Sequence, residues 1–545
     1  MKTIRSILLT LGIILSSTTL RGQSSWTADN GNGTYTNPLF YDEFSDPDIL
    51  RVGDDYYLAG TTMHTVPGLV ILHSRDLVNW EIIAYALPRI DPAGWISGQP
   101  TDEFDTPQHG NGVWAPSIRL HDGLFRIYWG DPDYGIFVTT AERPEGPWST
   151  PQCVIEGKGL IDPCPLWDDD GRCYLVHGWA KSRAGFNNIL TVRELNADGT
   201  KAIGDSVTVF RGGEENRTTE GPKFYKRDGW YWIWCPSGGV KEGWQLAMRS
   251  RSPYGPYEWK RVMDQGGTDI HGPHQGGWVH TAKGEDWFLH FEDRYAYGRV
   301  VHLQPVRWNS EGWPVVGNDP DGDGCGEPVL RYRKPKSVRW RKVSPAESDG
   351  FTDGYGLQWQ WPANPKPGYF EAREGFLRLN GAPCENLWEA PNLLLQKLPA
   401  MSFTATAKVQ PEATEQGYSG LVMMGSDFQA LALSRTGDAY YLGLLTCLKA
   451  DNGGEQVFEA LAEIPAGLPV WLRLSVADSF CSFSWSTDGK NFTPSGAEPF
   501  AMKAGRWIGA KMGLFCTSGH LDASSFAVSP TPTSREKHRA MPKMR

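Results

Sequence analysis

Three acidic residues could do chemistry, because each lies just before an aromatic, strand-like run and is followed closely by proline. Asp46 lies in FSDPDIL, Asp162 in LIDPCPLWDDDG and Glu220 in TEGPKFYKRDG. Each precedes the central aromatic strand of its segment by 10 to 12 residues. Carboxyl groups that meet at one depth of a fold can act as general acid and general base, one giving and the other taking a proton.

One reaction that needs such a set is the hydrolysis of a glycosidic bond. Two carboxyl groups flank the bond, and inversion at the anomeric carbon requires roughly 6.5–9.5 Å between them so that a water fits. A single Asp-Pro step is a common turn element, but three acidic residues at matching offsets are hard to obtain from turn chemistry alone. We therefore predict that the three side chains share one site.

An internal repeat indicates the fold that would bring them together. A turn with Asp or Gly, followed by a short aromatic and aliphatic run, occurs five times: GDDYYLAGT from Gly53, HDGLFRIYWG from His121, DDGRCYLVHG from Asp169, RDGWYWIWC from Arg227 and GEDWFLHF from Gly284. A second strand-rich segment follows each copy, and a spacing of roughly 50–70 residues suits four strands per blade. The repeat predicts a five-bladed β-propeller over residues 32–317, with an irregular β-sandwich as the alternative.

The pattern changes after the repeats. Residues 318–348 are rich in Gly, Pro and charge and are predicted to be a linker. Within them, Asp319, Asp321 and Asp323 match the first half of a calcium-binding loop, but no Glu follows at the twelfth position, so a solvated turn is favoured. Alternating and apolar strands then predict a β-sandwich over residues 349–530. The tail, residues 531–545, is predicted to be disordered.

The N-terminus predicts export. Lys2 and Arg5 precede a short apolar run and then small polar residues, which is typical of a secretory signal of about 22 residues. The run is too short to span a membrane stably. We therefore expect residues 1–22 to be a signal peptide and the mature chain to be periplasmic or extracellular, with no membrane span; a buried N-terminal helix is the alternative.

The length and composition of the chain limit its domain organisation and the classes of partner that it can bind. The 545 residues exceed what one core holds, so two domains are expected. The net charge is −10 and no basic stripe is present, which argues against nucleic acid as a partner. Most of the 24 Trp are expected to pack between blades, while some could stack on sugar rings. The nine Cys lack zinc spacing and are expected to be mostly buried thiols, with room for one disulfide.

The three acidic motifs, in this order, resemble glycoside hydrolase family 43. The stretches NGVWAPSIR, around Trp114, and GPHQGGWVHTAKGEDWFLHFEDR resemble that family as well. FTDGYGLQWQWPANP resembles the start of the concanavalin-like, jelly-roll sandwich that follows the propeller in its β-xylosidase and arabinofuranosidase members. The resemblance thus covers most of the mature chain and implies an all-β protein, a five-bladed propeller followed by a C-terminal β-sandwich.

The resemblance also implies roles for the three carboxyl groups. Asp46 would be the general base that deprotonates the attacking water, and Glu220 the general acid that protonates the leaving oxygen. Asp162 would orient the acid and raise its pKa by like-charge repulsion. A single displacement of this kind inverts the anomeric configuration.

Three further positions have weaker signals. By the resemblance, His274 in GPHQGGWV would help to hold a hydrated calcium or other ion in the channel, or it is a core histidine bonded to backbone. Arg294 in FEDR would contact substrate hydroxyls, or it pairs with Glu292 or Asp293. Trp114 would line the sugar pocket or pack within a blade. No cofactor is required for the chemistry itself.

The expected function is an inverting hydrolase that releases terminal α-L-arabinofuranose or β-D-xylose from plant cell-wall polysaccharides or oligosaccharides. The two sugars present similar hydroxyl arrangements, so one type of pocket can serve both. Two alternatives remain open at this point. One is an endo-acting arabinan hydrolase, and the other is a propeller that binds glycan without cleaving it.

Overall fold

The computed structural model describes residues 24–412 and 417–531. The predicted signal peptide, residues 1–22, lies outside the described residues, as does the predicted tail apart from Thr531. The described chain is built almost entirely of β-strands. None of its helices is long and apolar enough to cross a membrane.

A short strand, β1 (Thr34–Thr36), precedes five antiparallel sheets of four consecutive strands each, counted over the described residues. The five sheets form blades 1 to 5 in chain order. Blade 1 consists of β2 (Asp48–Val52), β3 (Asp55–Gly60), β4 (Gly68–Ser74) and β5 (Glu81–Leu87), and blade 2 of β6 (Pro116–His121), β7 (Leu124–Asp131), β8 (Gly135–Ala141) and β9 (Gln152–Glu156). Blade 3 consists of β10 (Leu160–Trp167), β11 (Cys173–Trp179), β12 (Ile189–Leu195) and β13 (Val207–Arg211), and blade 4 of β14 (Lys223–Arg227), β15 (Trp230–Ser237), β16 (Trp244–Ser250) and β17 (Glu258–Met263). Blade 5 consists of β18 (His274–His280), β19 (Asp286–Asp293), β20 (Arg299–Trp308) and β21 (Pro314–Val316).

The repeated turns explain this regularity. In blades 2 and 4 the turn before the second strand is an Asp-Gly pair with both residues at positive φ: Asp122 at 49° and Gly123 at 74°, Asp228 at 52° and Gly229 at 72°. Such turns match the right-handed twist of the strands they join. The five aromatic runs of the repeat form β3, β7, β11, β15 and β19, the second strand of each blade. The predicted five-bladed architecture is confirmed.

The ring closes at a seam between blades 1 and 5. No blade in the described structure borrows a strand from the other end of the propeller, because each consists of consecutive strands. Instead, β1 pairs with β22 (Arg331–Arg333), and the Asn37 amide donates to the carbonyl oxygens of Leu303 and Val329 at 2.9 and 2.8 Å. The segment around Asn37 therefore holds the two end blades together.

The helices are short and lie in connections. They are α1 (Pro92–Ser97) and α2 (Lys181–Ala184), with 3-10 turns η1 (Glu103–Asp105), η2 (Tyr295–Tyr297) and η3 (Ala450–Asn452). Helix α1 starts where the Asp91 carboxylate accepts a hydrogen bond from the Gly94 N–H and ends at Gly98, in the left-handed conformation. Helix α1 and η1 belong to the long connection from blade 1 to blade 2, which reaches the C-terminal domain.

The C-terminal domain consists of two packed antiparallel sheets. Its strands are β23 (Phe370–Arg373), β24 (Phe376–Asn380), β25 (Leu394–Lys397), β26 (Ser402–Glu412), β27 (Tyr418–Met424), β28 (Phe428–Thr436), β29 (Ala439–Cys447), β30 (Gln456–Ile464), β31 (Val470–Ala477), β32 (Phe480–Ser486), β33 (Thr493–Pro494), β34 (Phe500–Ala501), β35 (Lys511–Cys516) and β36 (His520–Pro530). One sheet has the order β23-β24-β36-β26-β31-β32-β33, with β34 beside β32, and the other has the order β25-β35-β27-β28-β29-β30. The predicted sandwich is confirmed.

Alternation of side chains builds the core of the sandwich. Along β26, Phe403, Ala405, Ala407 and Val409 are buried while the residues between them are partly exposed, as the period of two in a strand requires. The same core cluster includes Tyr297 from the propeller. The sandwich therefore packs directly on the propeller, on the side of blades 1 and 5.

Two smaller expectations concern cysteine and the linker. All nine cysteines fall within the described residues, and all are unpaired thiols. In the linker, the carboxylates of Asp319, Asp321 and Asp323 come within 4.8 Å of one another, and they accept hydrogen bonds from the backbone N–H groups of the same turn. These bonds are what a solvated turn is expected to make.

Candidate active site

The three acidic residues lie in one cavity, although they come from three different blades. Asp46 precedes β2, Asp162 lies near the start of β10 and Glu220 precedes β14, so each is near the start of the innermost strand of its blade. The cavity has a volume of about 100 Å³. Its lining consists of Asp46, Met63, Trp114, Ala115, Ile161, Asp162, Glu220, Val240, Gln275, Arg299 and Trp507.

The backbone of this lining is unusual. Five of the eleven lining residues have positive φ although none is glycine: Asp46 at 52°, Met63 at 51°, Asp162 at 56°, Gln275 at 29° and Trp507 at 64°. The strand register also shifts at Asp162, between Ile161 and Cys164. Backbone conformations of this kind cost free energy and cluster where function needs a side chain re-aimed.

The side chain of Asp46 is buried and contacts a guanidinium and a hydroxyl group. Its side chain is 4% exposed, and Nη1 of Arg299 lies 3.0 Å from each of its two oxygens. The Ser45 hydroxyl donates to Oδ2 at 2.8 Å. One guanidinium and one hydroxyl group therefore fix the position of the Asp46 side chain.

Glu220 has different electrostatic surroundings. Burial, and then the negative charges of Asp162 and Asp46, raise the pKa of Glu220 to about 8, although Arg299 acts against this. The side chain is 27% exposed, so it remains open to the cavity. At neutral pH this carboxyl group is therefore mostly protonated and can donate its proton.

Asp162 is tied to the backbone that carries Glu220. Its Oδ2 accepts a hydrogen bond from the Gly221 N–H at 2.8 Å. Burial raises the pKa of Asp162 to about 6, while the bond from Gly221 lowers it. At neutral pH Asp162 is mostly ionised, so it both positions the neighbouring Glu220 and supplies negative charge beside it.

Gly221 makes room for this arrangement. A β-carbon on Gly221, at φ 57°, would lie 2.6 Å from Cδ of Gln275. The Gly221 position therefore needs glycine both for its backbone conformation and for the close approach of Gln275.

His274 is buried beside Glu220. It is 1% exposed, and its Nε2 lies 3.4 Å from Oε1 of Glu220. Burial lowers the pKa of His274 to about 3, so the ring is neutral, and neither ring nitrogen has a hydrogen-bond partner among the described residues.

A free imidazole nitrogen fits a contact to a hydrated ion, whereas calcium itself prefers six to eight oxygen ligands. Among the described residues, no cluster of three or more His, Cys, Asp or Glu ligand atoms includes His274. His274 could therefore hold an ion through the water around it, but the described side chains provide no closed cage of ligands.

Of the two remaining predicted residues, the structure brings one to the cavity. Trp114 lines it, with its indole Nε1–H donating to the Gly110 carbonyl at 3.0 Å. Arg294 is not in the lining, and its Nη1 lies 3.5 Å from Oε2 of Glu292, which is the ion pair named as its alternative. The arginine in the cavity is Arg299, five residues later.

Sequence reasoning missed Arg299, Gln275 and Trp507. Arg299 is the first residue of β20, and nothing local marks it apart from other strand-starting arginines. Trp507 comes from a sandwich loop and is distant in sequence from every other lining residue, so only tertiary packing reveals it. Gln275 directly follows His274 in the stretch GPHQGGWV, and no local pattern distinguishes it.

Glu43 connects the sandwich loop to Arg299, the partner of Asp46. Its Oε2 accepts a hydrogen bond from the Gly509 N–H at 2.9 Å, and its Oε1 lies 3.4 Å from the Arg299 backbone nitrogen. The Arg299 guanidinium carbon also lies 5.8 Å from the Trp507 ring centroid. The docked sandwich thereby forms one wall of the cavity and packs against the partner of Asp46.

Comparison with known families covers both domains. The model described as "Glycosyl hydrolases family 43" matches residues 35–314, and the model described as "Beta xylosidase C-terminal Concanavalin A-like domain" matches residues 348–528. The first match covers the propeller and the second covers the sandwich.

Individual relatives agree with both matches. A protein of Xylanibacter ruminicola that carries a provisional beta-xylosidase name is 36% identical over 90% of this chain and 87% of its own length. A non-reducing end alpha-L-arabinofuranosidase of Bacteroides ovatus is 29% identical over 83% of this chain and 84% of its own. The crystal structure of a xylan beta-1,4-xylosidase from Bacillus halodurans is 25% identical and superimposes with a TM-score of 0.79, over 91% of this chain and 99% of that one.

Proposed function

Since the chain belongs to glycosyl hydrolase family 43 and is a glycosidase, we propose that it is an inverting, exo-acting enzyme that releases β-D-xylose or α-L-arabinofuranose from the ends of glycan chains. The two sugars are those in the names of its relatives. We place β-D-xylose first, because the relative with the higher identity of the two carries the xylosidase name.

One observation carries the proposal: two carboxyl groups share one cavity but have opposite electrostatic surroundings. Asp46 is paired with the guanidinium of Arg299, while burial and neighbouring negative charge raise the pKa of Glu220 to about 8. A base and an acid available at the same pH are what a single displacement at an anomeric carbon requires.

The proposed mechanism follows from the surroundings of Asp46 and Glu220. With the terminal sugar in the cavity, Asp46 takes a proton from a water as that water attacks the anomeric carbon. Glu220 gives its proton to the leaving oxygen as the glycosidic bond breaks. Asp162 keeps the Glu220 backbone in place through Gly221 and disfavours early loss of the acid's proton. The attack from the face opposite the leaving group inverts the configuration.

The remaining lining residues would bind the sugar. The side chain of Gln275 is buried in the lining next to the Asp162 carboxylate, where it would adjoin a bound sugar. Trp114 and Trp507 would contact the sugar from the lining. A cavity of about 100 Å³ walled by the sandwich residue Trp507 favours a single terminal unit over the middle of a chain, so the endo-acting alternative is less favoured.

Two parts of the proposal concern what surrounds the enzyme. We propose that residues 1–22 direct the chain out of the cytoplasm, on the basis of their charged start and short apolar run. We also propose that His274 contacts a hydrated calcium ion in the channel. The two proton transfers are assigned to Asp46 and Glu220, and no step is assigned to the ion.

The test is hydrolysis of an aryl β-D-xyloside and an aryl α-L-arabinofuranoside by the mature chain, with Asp46→Ala as the blank. Activity on one or both that is lost in the variant is expected and names the preferred sugar. A folded protein without activity on either would refute the proposal. NMR of the first product formed from the β-xyloside should show α-xylose before mutarotation, and β-xylose would refute inversion.

A further inference from the structure

We propose that a second, larger cleft beside the catalytic cavity binds the sugar units of the leaving chain beyond the one next to the cleaved bond. This rests on the proposed function and deepens it. The preferred substrate would be an oligosaccharide or polysaccharide chain rather than a short glycoside. The cleft lies between the blade 1 to blade 2 connection and four connections of the sandwich, and it has a volume of about 630 Å³.

The cleft and the catalytic cavity share one thin wall. On the propeller side His109 and Asn111 line the cleft, while the residue between them, Gly110, accepts the hydrogen bond from Trp114 of the cavity. On the sandwich side the consecutive residues Arg506 and Trp507 line the cleft and the cavity respectively.

Close packing across Gly110 keeps this wall thin. A β-carbon on Gly110, at φ 80°, would lie 2.9 Å from Cγ of Arg506 and 3.1 Å from Cδ1 of Trp507. A chain that leaves the cavity over this wall enters the cleft directly.

The volumes of the cavity and the cleft indicate which part of the substrate each would hold. The cavity of about 100 Å³ has room for little more than the terminal unit. The cleft, at about 630 Å³, falls within the roughly 300–1,000 Å³ typical of sites that enclose a small ligand. Because an exo-acting enzyme encloses only the terminal sugar, every other unit of the substrate lies on the leaving side and needs room outside the cavity.

The chemistry of the lining suits hydroxyl-rich rings. Gln108 and Asn111 from the propeller face Asp451, Asn452 and Arg506 from the sandwich, so amide, carboxylate and guanidinium groups surround one space. Such a set can both donate to and accept from sugar hydroxyls, whereas it offers little to an apolar ligand. Arg506 is exposed, so the donors of its guanidinium are open to a ligand.

The floor of the cleft is rigid before any ligand arrives. The His109 and Trp388 rings are stacked, with centroids 3.6 Å apart and an interplanar angle of 15°. The His109 Nε2 also lies 2.9 Å from the Trp388 carbonyl oxygen. The stack joins the propeller to the sandwich at this point, so the groups above it keep fixed positions, which reduces the entropy lost on binding.

The test is titration calorimetry with xylotetraose, arabinose-substituted xylotetraose and xylobiose. The full mature chain is used with Asp46→Ala in the background, so that nothing is turned over. Arg506→Met keeps the stem that packs on Gly110 and removes the guanidinium, while the double variant Asp451→Ala/Asn452→Ala removes polar groups of an exposed turn. Asp438→Ala is the matched control. It is exposed and lies at the opposite end of the β28–β29 pair from the cleft residue Ser426.

Each cleft variant is expected to raise the Kd for at least one tetraose at least fivefold relative to the Kd for xylobiose, and the control is expected to leave the ratio unchanged. An unchanged ratio for both tetraoses in both cleft variants would overturn the inference. Aryl glycoside hydrolysis by the chain with Asp46 intact separates the two proposals. Hydrolysis with an unchanged ratio refutes the cleft alone, and cleft-dependent binding without hydrolysis refutes the proposed function alone.

Discussion

Nη1 of Arg299 lies 3.0 Å from both carboxylate oxygens of Asp46, and both side chains are largely removed from solvent, at 13% and 4% exposure. Arg299 opens β20 in blade 5, while Asp46 precedes β2 in blade 1. The proposed base is therefore held from across the seam at which the propeller closes. The ion pair therefore makes the position of Asp46 depend on the closure of the propeller.

Removing this cation is expected to affect activity and stability together. Arg299→Met keeps the stem but leaves the Asp46 charge buried without a partner, which costs about 3–5 kcal/mol of unfolding free energy in comparable pairs. Arg299→Lys retains a cation and is expected to keep more stability and more kcat than the Met variant. Thermal unfolding and aryl glycoside kinetics measure both effects. Equal stability of the Met variant and the parent would contradict the account.

The proposed acid predicts a dependence on the leaving group. Glu220→Ala is expected to lower kcat/KM by about 10²–10⁴-fold for substrates with poorly leaving alcohols, since general acid catalysis contributes that much. Activated aryl glycosides need little protonation and should lose far less. A series of leaving groups compared by kcat/KM measures this, with Glu242→Ala, an exposed neighbour in an ion pair with Arg217, as the control. An equal loss for all leaving groups would argue against the assignment.

The pH profile should report the same acid. The pKa of Glu220 is raised to about 8, and the group is active when protonated, so the rate is expected to fall as the pH rises through about 8. Asp162→Asn removes a negative charge that favours the protonated form while burial remains. The alkaline limb of kcat should then move to lower pH by about one unit or more. An unmoved limb in the Asn variant would contradict the role of Asp162.

Gly221 offers a test of positioning. Gly221→Ala would place a β-carbon 2.6 Å from Gln275 and shift the segment that carries Glu220. Misplacing a catalytic group by about 1 Å can cost roughly 100-fold, so a large fall in kcat is expected. Gly123→Ala is the matched control, because Gly123 has a similar φ, 74°, but open space around it. The control shares the backbone strain, and a similar kcat in the two variants would exclude a positioning effect.

The parts of this protein that were predictable are those encoded by local pattern. A turn with Asp or Gly followed by an aromatic run marks the second strand of each blade, and the alternation along β26 marks the sandwich. The convergence of Asp46, Asp162 and Glu220 could be anticipated because a propeller places equivalent positions of its blades around one axis.

The parts that were not predictable depend on packing between domains. Trp507 reaches the cavity only because the sandwich docks beside blades 1 and 5, and no local pattern encodes that orientation. Arg294 and Arg299 are five residues apart in one segment, yet the turn η2 between them directs one to Glu292 and the other to Asp46. Which of two neighbouring arginines enters a site depends on that turn, whose geometry residue types alone do not specify.

The nine unpaired thiols have a practical consequence for handling the protein. Since no covalent cross-link joins distant parts of the chain, folding needs no oxidant and no isomerase to sort pairings. A version beginning after residue 22 should therefore fold in a reducing bacterial cytosol as readily as in an oxidising compartment. Millimolar dithiothreitol should leave both its melting temperature and its turnover unchanged.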